Sequence, residues 1–187
     1  MAGYEFEKLE LKDAFYIKNI SMGDSRGDFT KCFEKAVYKN AGIEFNVYET
    51  FVSVSSCNIL RGLHFQIHNP QAKLVSVLSG SAWDVIVDLR KNSPTYKKWY
   101  SVVLNNTEHN ALYIPKGFAH GFVSLEDNTT MLYMCDGPYD KETDTGIRFD
   151  DETIGIDWPV DINEVICSER DKGLMSFEEY EKNPMEL

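Results

Sequence analysis

Apolar positions in this chain come in short runs with polar alternation, broken by Gly, Pro, Asn and Ser; no long helical stripe is present. That pattern predicts strands over Glu5–Leu11, Phe15–Ile20, Asn46–Ser53, Ile59–Gln66, Lys73–Leu78 and Ala82–Leu89. It predicts further strands over Trp99–Leu104, Ala111–Ile114, Gly121–Leu125 and Thr129–Cys135. Gly80 is expected to turn a hairpin across Leu78–Ser81. Helices are minor. One is expected over Cys32–Asn40, capped by Asp28 or Thr30 and stopped at Gly42; another starts at Ser176. Many short antiparallel strands at near-regular spacing indicate a mainly β sandwich or barrel with a few short helices. No repeat or linker divides residues 1–187, so one domain is expected.

The strand Ala82–Leu89 bears on the interior. Trp83, Val85, Val87 and Leu89 share one face, and Ala82, Asp84, Ile86 and Asp88 share the other. Two readings follow. Either the carboxylates form the polar floor of a barrel lumen, or they face solvent.

Composition narrows the partners. Net charge is −11, with 30 acidic against 19 basic residues, and such a surface repels nucleic acid and anionic membranes. Neither is an expected partner. No apolar run approaches the roughly 20 residues needed to span a bilayer, and the N-terminus lacks the layout of a signal peptide. A cytoplasmic protein with free thiols at Cys32, Cys57, Cys135 and Cys167 is expected. An anionic ligand would need local cations to overcome the acidic field.

Two segments concentrate such groups. Leu60-Arg61-Gly62-Leu63-His64-Phe65-Gln66 is followed by Gln71-Ala72-Lys73. His64 and Gln66 share a face, and Arg61 has the opposite parity, so both reach one lumen only if the chain bulges or twists, which Gly62 could permit. A surface Arg and a core His are the plainer alternative. Pro115-Lys116-Gly117-Phe118-Ala119-His120 carries the P-x-G-x-x-H spacing of the second cupin motif. The H-x-H pair that metal-binding cupins add is absent, because His64-Phe65-Gln66 stands there; no metal is expected. Tyr133 shares a strand face with Met131 and Cys135. Ser168-Glu169-Arg170-Asp171 reads as a solvated charge run, or as the source of an Asp that orients an imidazole.

Together these segments closely resemble the dTDP-4-dehydrorhamnose 3,5-epimerase family. The matching text is Ser25-Arg26-Gly27, Leu60–Gln66, Gln71–Val75, Asp84–Arg90, Ser93–Tyr96, Ile114–Phe122, Tyr133, Tyr139 and Gly155-Ile156-Asp157-Trp158-Pro159. The resemblance implies a double-stranded β-helix (cupin jelly roll) and a homodimer whose N-terminal part reaches the partner's site. It implies a nucleotide-linked 4-keto-6-deoxy-hexose substrate, inverted beside the ketone with no cofactor. His64 is then the base, oriented by Asp171, and an imidazole with an intrinsic pKa of about 6.5 suits that task. By the same resemblance Lys73 holds the enolate oxygen and Tyr133 returns a proton from the opposite face. Arg61 and His120 position sugar and phosphates, Arg26 reaches across from the partner, Tyr139 stacks on the base, and Arg170 assists the nucleotide.

This chain departs from the family on the nucleotide side. Lys31 replaces a usual Glu, Glu49 a Gln, Phe51 an Asn, Met134 a Lys and Asp144 a Glu. Lys31 and Glu49 could pair with each other. Thymidine is the first expectation for the nucleotide, with a different nucleotide-linked keto-sugar as the alternative. Inversion is expected at C3 and C5, or at C3 alone. A 3,4-ketoisomerase would call for two nearby histidines, a cupin oxygenase for the H-x-H pair, and a sugar-binding cupin for loss of His64 or Tyr133.

Overall fold

The alternation of side chains builds two antiparallel sheets that face each other, and a computed structural model describes residues 3–185 of the chain. Six strands form the first sheet, in the order β1 (Glu5–Lys8), β2 (Phe15–Lys18), β10 (Asn110–Ile114), β7 (Lys73–Ser79), β12 (Thr129–Cys135) and β5 (Glu49–Ser55). Five form the second: β13 (Asp144–Gly146), β6 (Leu60–Gln66), β11 (Phe118–Ser124), β8 (Ser81–Asp88) and β9 (Trp99–Asn105). A separate hairpin pairs β3 (Ile20–Asp24) with β4 (Gly27–Lys31). Three short helices complete the elements: α1 (Lys35–Asn40), α2 (Glu169–Lys172) and α3 (Phe177–Lys182). The fold is the expected cupin jelly roll. No helix among the described residues is long and apolar enough to cross a membrane.

Period-two alternation sorts the core into three layers. Val75, Val77, Ile86, Leu112, Phe122 and Met131 fill the space between the sheets. Leu63, Phe65, Val85 and Val87 point the other way from the second sheet, beneath Trp158, Phe177 and Tyr180 of the C-terminal segment. Ile17, Leu74 and Ala111 point out from the first sheet beneath Tyr38 of α1 and Phe45. The strand β8 shows why its pattern was ambiguous. Both its faces are covered, so Asp84 and Asp88 are fully buried and the solvent reading fails for both. Asp88 ties down the following turn through Arg90, Ser93 and Thr95.

Several expectations need correction. Gly80 (φ 76°) does not turn a hairpin; β7 and β8 lie in different sheets, and Gly80 is the corner between them. A Cβ there would sit 2.7 Å from Thr129 Oγ1. Phe15–Ile20 divides at Asn19 into β2 and β3, so Asp28 and Thr30 lie in the β3–β4 hairpin and cap nothing. The N-cap of α1 is Glu34, without a side-chain cap, and the helix ends before Gly42 (φ 90°) as expected. Ser176 does cap α3, in a reciprocal capping box with Glu179.

Candidate active site

Strand β6 carries the densest chemistry because it is irregular. Its register against β11 shifts between His120↔His64 and Phe122↔Arg61. The bulge sits at Gly62, whose φ is 129° and whose Cβ, if present, would lie 2.5 Å from Gly121 Cα. Only glycine fits that crossing. The inserted residue cancels the parity difference, so Arg61 and His64 both face the space between the sheets while Leu60 and Leu63 join the outer core.

Two imidazole–carboxylate pairs result on neighbouring strands. His64 Nε2 lies 2.8 Å from Asp171 Oδ1, and Gly62 N–H donates to Asp171 Oδ2 at 3.4 Å. Asp171 is delivered by α2, whose N-cap Ser168 fixes the turn. Burial favours the neutral acid at Asp171, but the His64 bond and charge, with the Gly62 and Ser168 bonds, hold its carboxyl below the usual value. An ionised Asp171 accepts the Nε2 proton, which leaves His64 Nδ1 with the free lone pair. The second pair, His120 Nε2 and Asp84 Oδ2 at 2.8 Å, is nearly water-free. Burial pushes the Asp84 carboxyl up, against the opposing pull of His120 and Lys73. Asp84 Oδ1 is buried without a partner. Each histidine thus spends Nε2 on a carboxylate, and no group of three metal-ligating side chains occurs among the described residues.

The facing sheet supplies Tyr133 from β12 and Lys73 from β7, adjacent antiparallel strands. Burial, with the charge of Asp84, pushes the Tyr133 phenol well above its usual range. Burial pulls the Lys73 ammonium below the ordinary lysine value, opposed by Cys135, Asp144 and Asp84. The cavity between these walls measures about 410 Å³, within the size of small-molecule sites. Arg61, whose Nε donates to Ser55 Oγ at 3.3 Å, Glu49 and Phe51 line its mouth. At the rim Asp144 joins two of the expected nucleotide contacts, accepting from Tyr139 Oη at 3.0 Å and Arg170 Nη2 at 2.7 Å.

Eleven of the expected positions thus meet at one place: His64, Lys73, Tyr133, Arg61, His120, Glu49, Phe51, Asp144, Tyr139 and Arg170 line the cavity, and Asp171 backs it. Arg26 and Lys31 stand apart. Arg26 is at the exposed tip of the β3–β4 hairpin, paired with Asp24 at 2.5 Å. Lys31 pairs with Glu34, and Glu49 accepts from Gln71 Nε2 at 3.0 Å, so no Lys31–Glu49 pair forms within the chain. Two glutamines for which no role was expected prove structural to the site. Gln66 accepts from Asp140 N–H at 2.8 Å and donates to Pro138 O, and Gln71 donates to Gly137 O at 2.6 Å. They anchor the loop that presents Tyr139. The signal available was their lumen-side parity beside His64 and Lys73.

The model of the dTDP-4-dehydrorhamnose 3,5-epimerase family matches residues 8–179. The chain belongs to that family. It is 42% identical over 188 residues to the dTDP-4-dehydrorhamnose 3,5-epimerase of Methanothermobacter thermautotrophicus, covering 100% of both chains. A dTDP-6-deoxy-D-glucose-3,5-epimerase from Legionella pneumophila, solved with dTDP-4-keto-L-rhamnose, superposes with a TM-score of 0.90 at 34% identity. That match covers 94% of this chain and 93% of the other. A 3'-monoepimerase from Streptomyces bikiniensis, solved with dTDP-quinovose, gives 0.86 at 31% identity, covering 93% and 88%. As a 3,5-epimerase family member the chain is an isomerase, and the two walls of its cavity are the place to seek the chemistry.

Proposed function

We propose that this protein epimerises a dTDP-linked 4-keto-6-deoxy-hexose at C3 and C5 by proton transfer through an enolate. The observation that supports the reading is a half-buried imidazole and a buried phenol on opposite walls of one cavity: His64 on the second sheet, Tyr133 on the first. A sugar ring held between the sheets presents one face to each. His64 Nδ1 removes the proton beside the ketone, and the C–H electron pair passes into the carbonyl. The Lys73 ammonium stabilises the resulting oxyanion, in a site where low water content strengthens the attraction. The Tyr133 phenol, which stays protonated at neutral pH, gives its proton to the opposite face of the carbon. The imidazolium then loses a proton to solvent and the phenolate regains one, so the net change is inversion alone.

In this reading Arg61 and His120 hold the sugar and diphosphate, and Tyr139 with Arg170 takes the nucleotide end; all four line the cavity. Incubation with dTDP-4-keto-6-deoxy-glucose in heavy water, followed by mass spectrometry and proton NMR, tests this. Deuterium is expected at both C3 and C5 with inversion. Exchange at C3 alone would make it a 3-epimerase, and no exchange would shift attention to another nucleotide, with Lys31, Glu49 and Phe51 as the departures responsible.

The working form in this reading is a homodimer. The β3–β4 hairpin exposes Met22 and Phe29, and the outer face of edge strand β5 exposes Val52 and Val54, apolar surface suited to a second copy. Arg26, bonded among the described residues to its hairpin neighbour Asp24 alone, then exchanges that exposed pair for a partner's bound phosphate. Light scattering is expected to give twice the chain mass, and mixing the Arg26→Ala and His64→Ala proteins is expected to restore activity at about one quarter of sites. A monomer, or no complementation, counts against it.

A further inference from the structure

Tyr133 is held by packing more than by hydrogen bonding. Among the described residues its hydroxyl donates only to Met131 Sδ, at 3.7 Å, a weak and poorly directional partner. Ser53 Oγ, buried on the adjacent strand, lies close enough to act on the phenol but makes no hydrogen bond of standard length and angle with it. Two rings fix the phenol instead. Phe51, its direct cross-strand neighbour, stacks on it with centroids 4.7 Å apart and planes 12° apart. The His120 ring meets it edge-on at 5.9 Å and 66°. His120 is itself immobilised by Asp84.

From this geometry we infer that Phe51 is a positioning residue for Tyr133: its ring sets the angle of the phenol and closes it from the mouth of the cavity. The inference rests on the proposed role of Tyr133 as the proton donor. Phe51 is 47% exposed and lies on an edge strand, so the fold itself gains little from an aromatic there. A face-to-face stack across a non-polar pair restricts ring rotation, and the hydroxyl direction follows the ring. Deprotonation by His64, on the other sheet, does not depend on that ring. Removing Phe51 therefore separates two events that are coupled in the intact protein.

The test measures both in heavy water with dTDP-4-keto-6-deoxy-glucose. In wild type each deuterium enters with inversion. In Phe51→Ala the enolate still forms, but His64, re-equilibrated with solvent, returns a deuteron to the same face more often. The ratio of exchange to inversion at saturating substrate is expected to rise roughly tenfold, the scale of one lost aromatic pair, whatever the wider cavity mouth does to substrate affinity. Phe51→Tyr is expected to restore the wild-type ratio. Equal loss of exchange and inversion, or no change in either, would overturn the inference. A second readout needs no substrate: fluorine NMR of protein carrying 3-fluorotyrosine at position 133. Ring flipping is expected to quicken about tenfold in Phe51→Ala, and an unchanged rate overturns the inference whatever the sugar proves to be. Absence of exchange in wild type would instead strike the proposed activity.

Discussion

His64→Ala is expected to abolish deuterium entry at both carbons, lowering exchange by about 10³-fold or more, the upper range for a positioned general base. The cavity offers no substitute on that wall: the neighbouring His120 is committed to Asp84 and is nearly sealed from water. Asp171→Asn is the subtler companion. An amide in place of the carboxylate can present its NH₂ to His64 Nε2, which moves the ring proton to Nδ1, the atom that must be empty. A loss of about 10²-fold or more is expected even though the ring has not moved. Both variants should still bind the substrate, because neither residue is among those placed to hold the nucleotide. Exchange within tenfold of wild type in His64→Ala would remove His64 from the chemistry.

Gly62→Ala is expected to unfold at a markedly lower urea midpoint, with a loss of about 4 kcal/mol and an unchanged m-value. Two costs add. At φ 129° any side chain is strained, and the new Cβ would meet Gly121 Cα at 2.5 Å and His120 O at 2.9 Å. Those are backbone atoms of the central, wholly buried strand β11, so nothing flexible can yield. Gly42→Ala serves as the control: its φ is 90°, yet nothing lies within 4 Å of the added carbon, and about 1 kcal/mol is expected. A Gly62→Ala protein as stable as the control would mean that the bulge is less tightly specified than its contacts indicate.

The jelly roll was legible because most strands bury one face, and alternation reports that directly. The β3–β4 hairpin was not, because none of its strand residues is buried on either face and its Gly-Asp-Ser-Arg-Gly turn reads as loop. Strand β13 is three residues long, too short for a period. On β8, parity separated two faces without saying which was inside, since both are. The cavity residues divide in the same way. The parity of Arg61 and His64 offered a bulge at Gly62 only beside the plainer reading of a surface Arg, and the Ser168–Asp171 run read first as solvated charge, its tie to His64 coming from family resemblance. Its partner lies 107 residues away. Lys31 shows the opposite case: its substitution pattern suggests a partner at Glu49, and the acid it meets, Glu34, is three residues along.

The distance between His64 and Asp171 has a bearing on synthesis. A ribosome delivers β6 and every other strand before α2, so a nascent chain can assemble both sheets while His64 still lacks its carboxylate partner. Until the segment around Asp171 docks against Gly62, His64 can take up either tautomer and water reaches its ring. In the proposed reaction, proton abstraction therefore waits on a contact that spans 107 residues of chain, and a molecule in which that contact had opened would lose turnover before it lost the cavity.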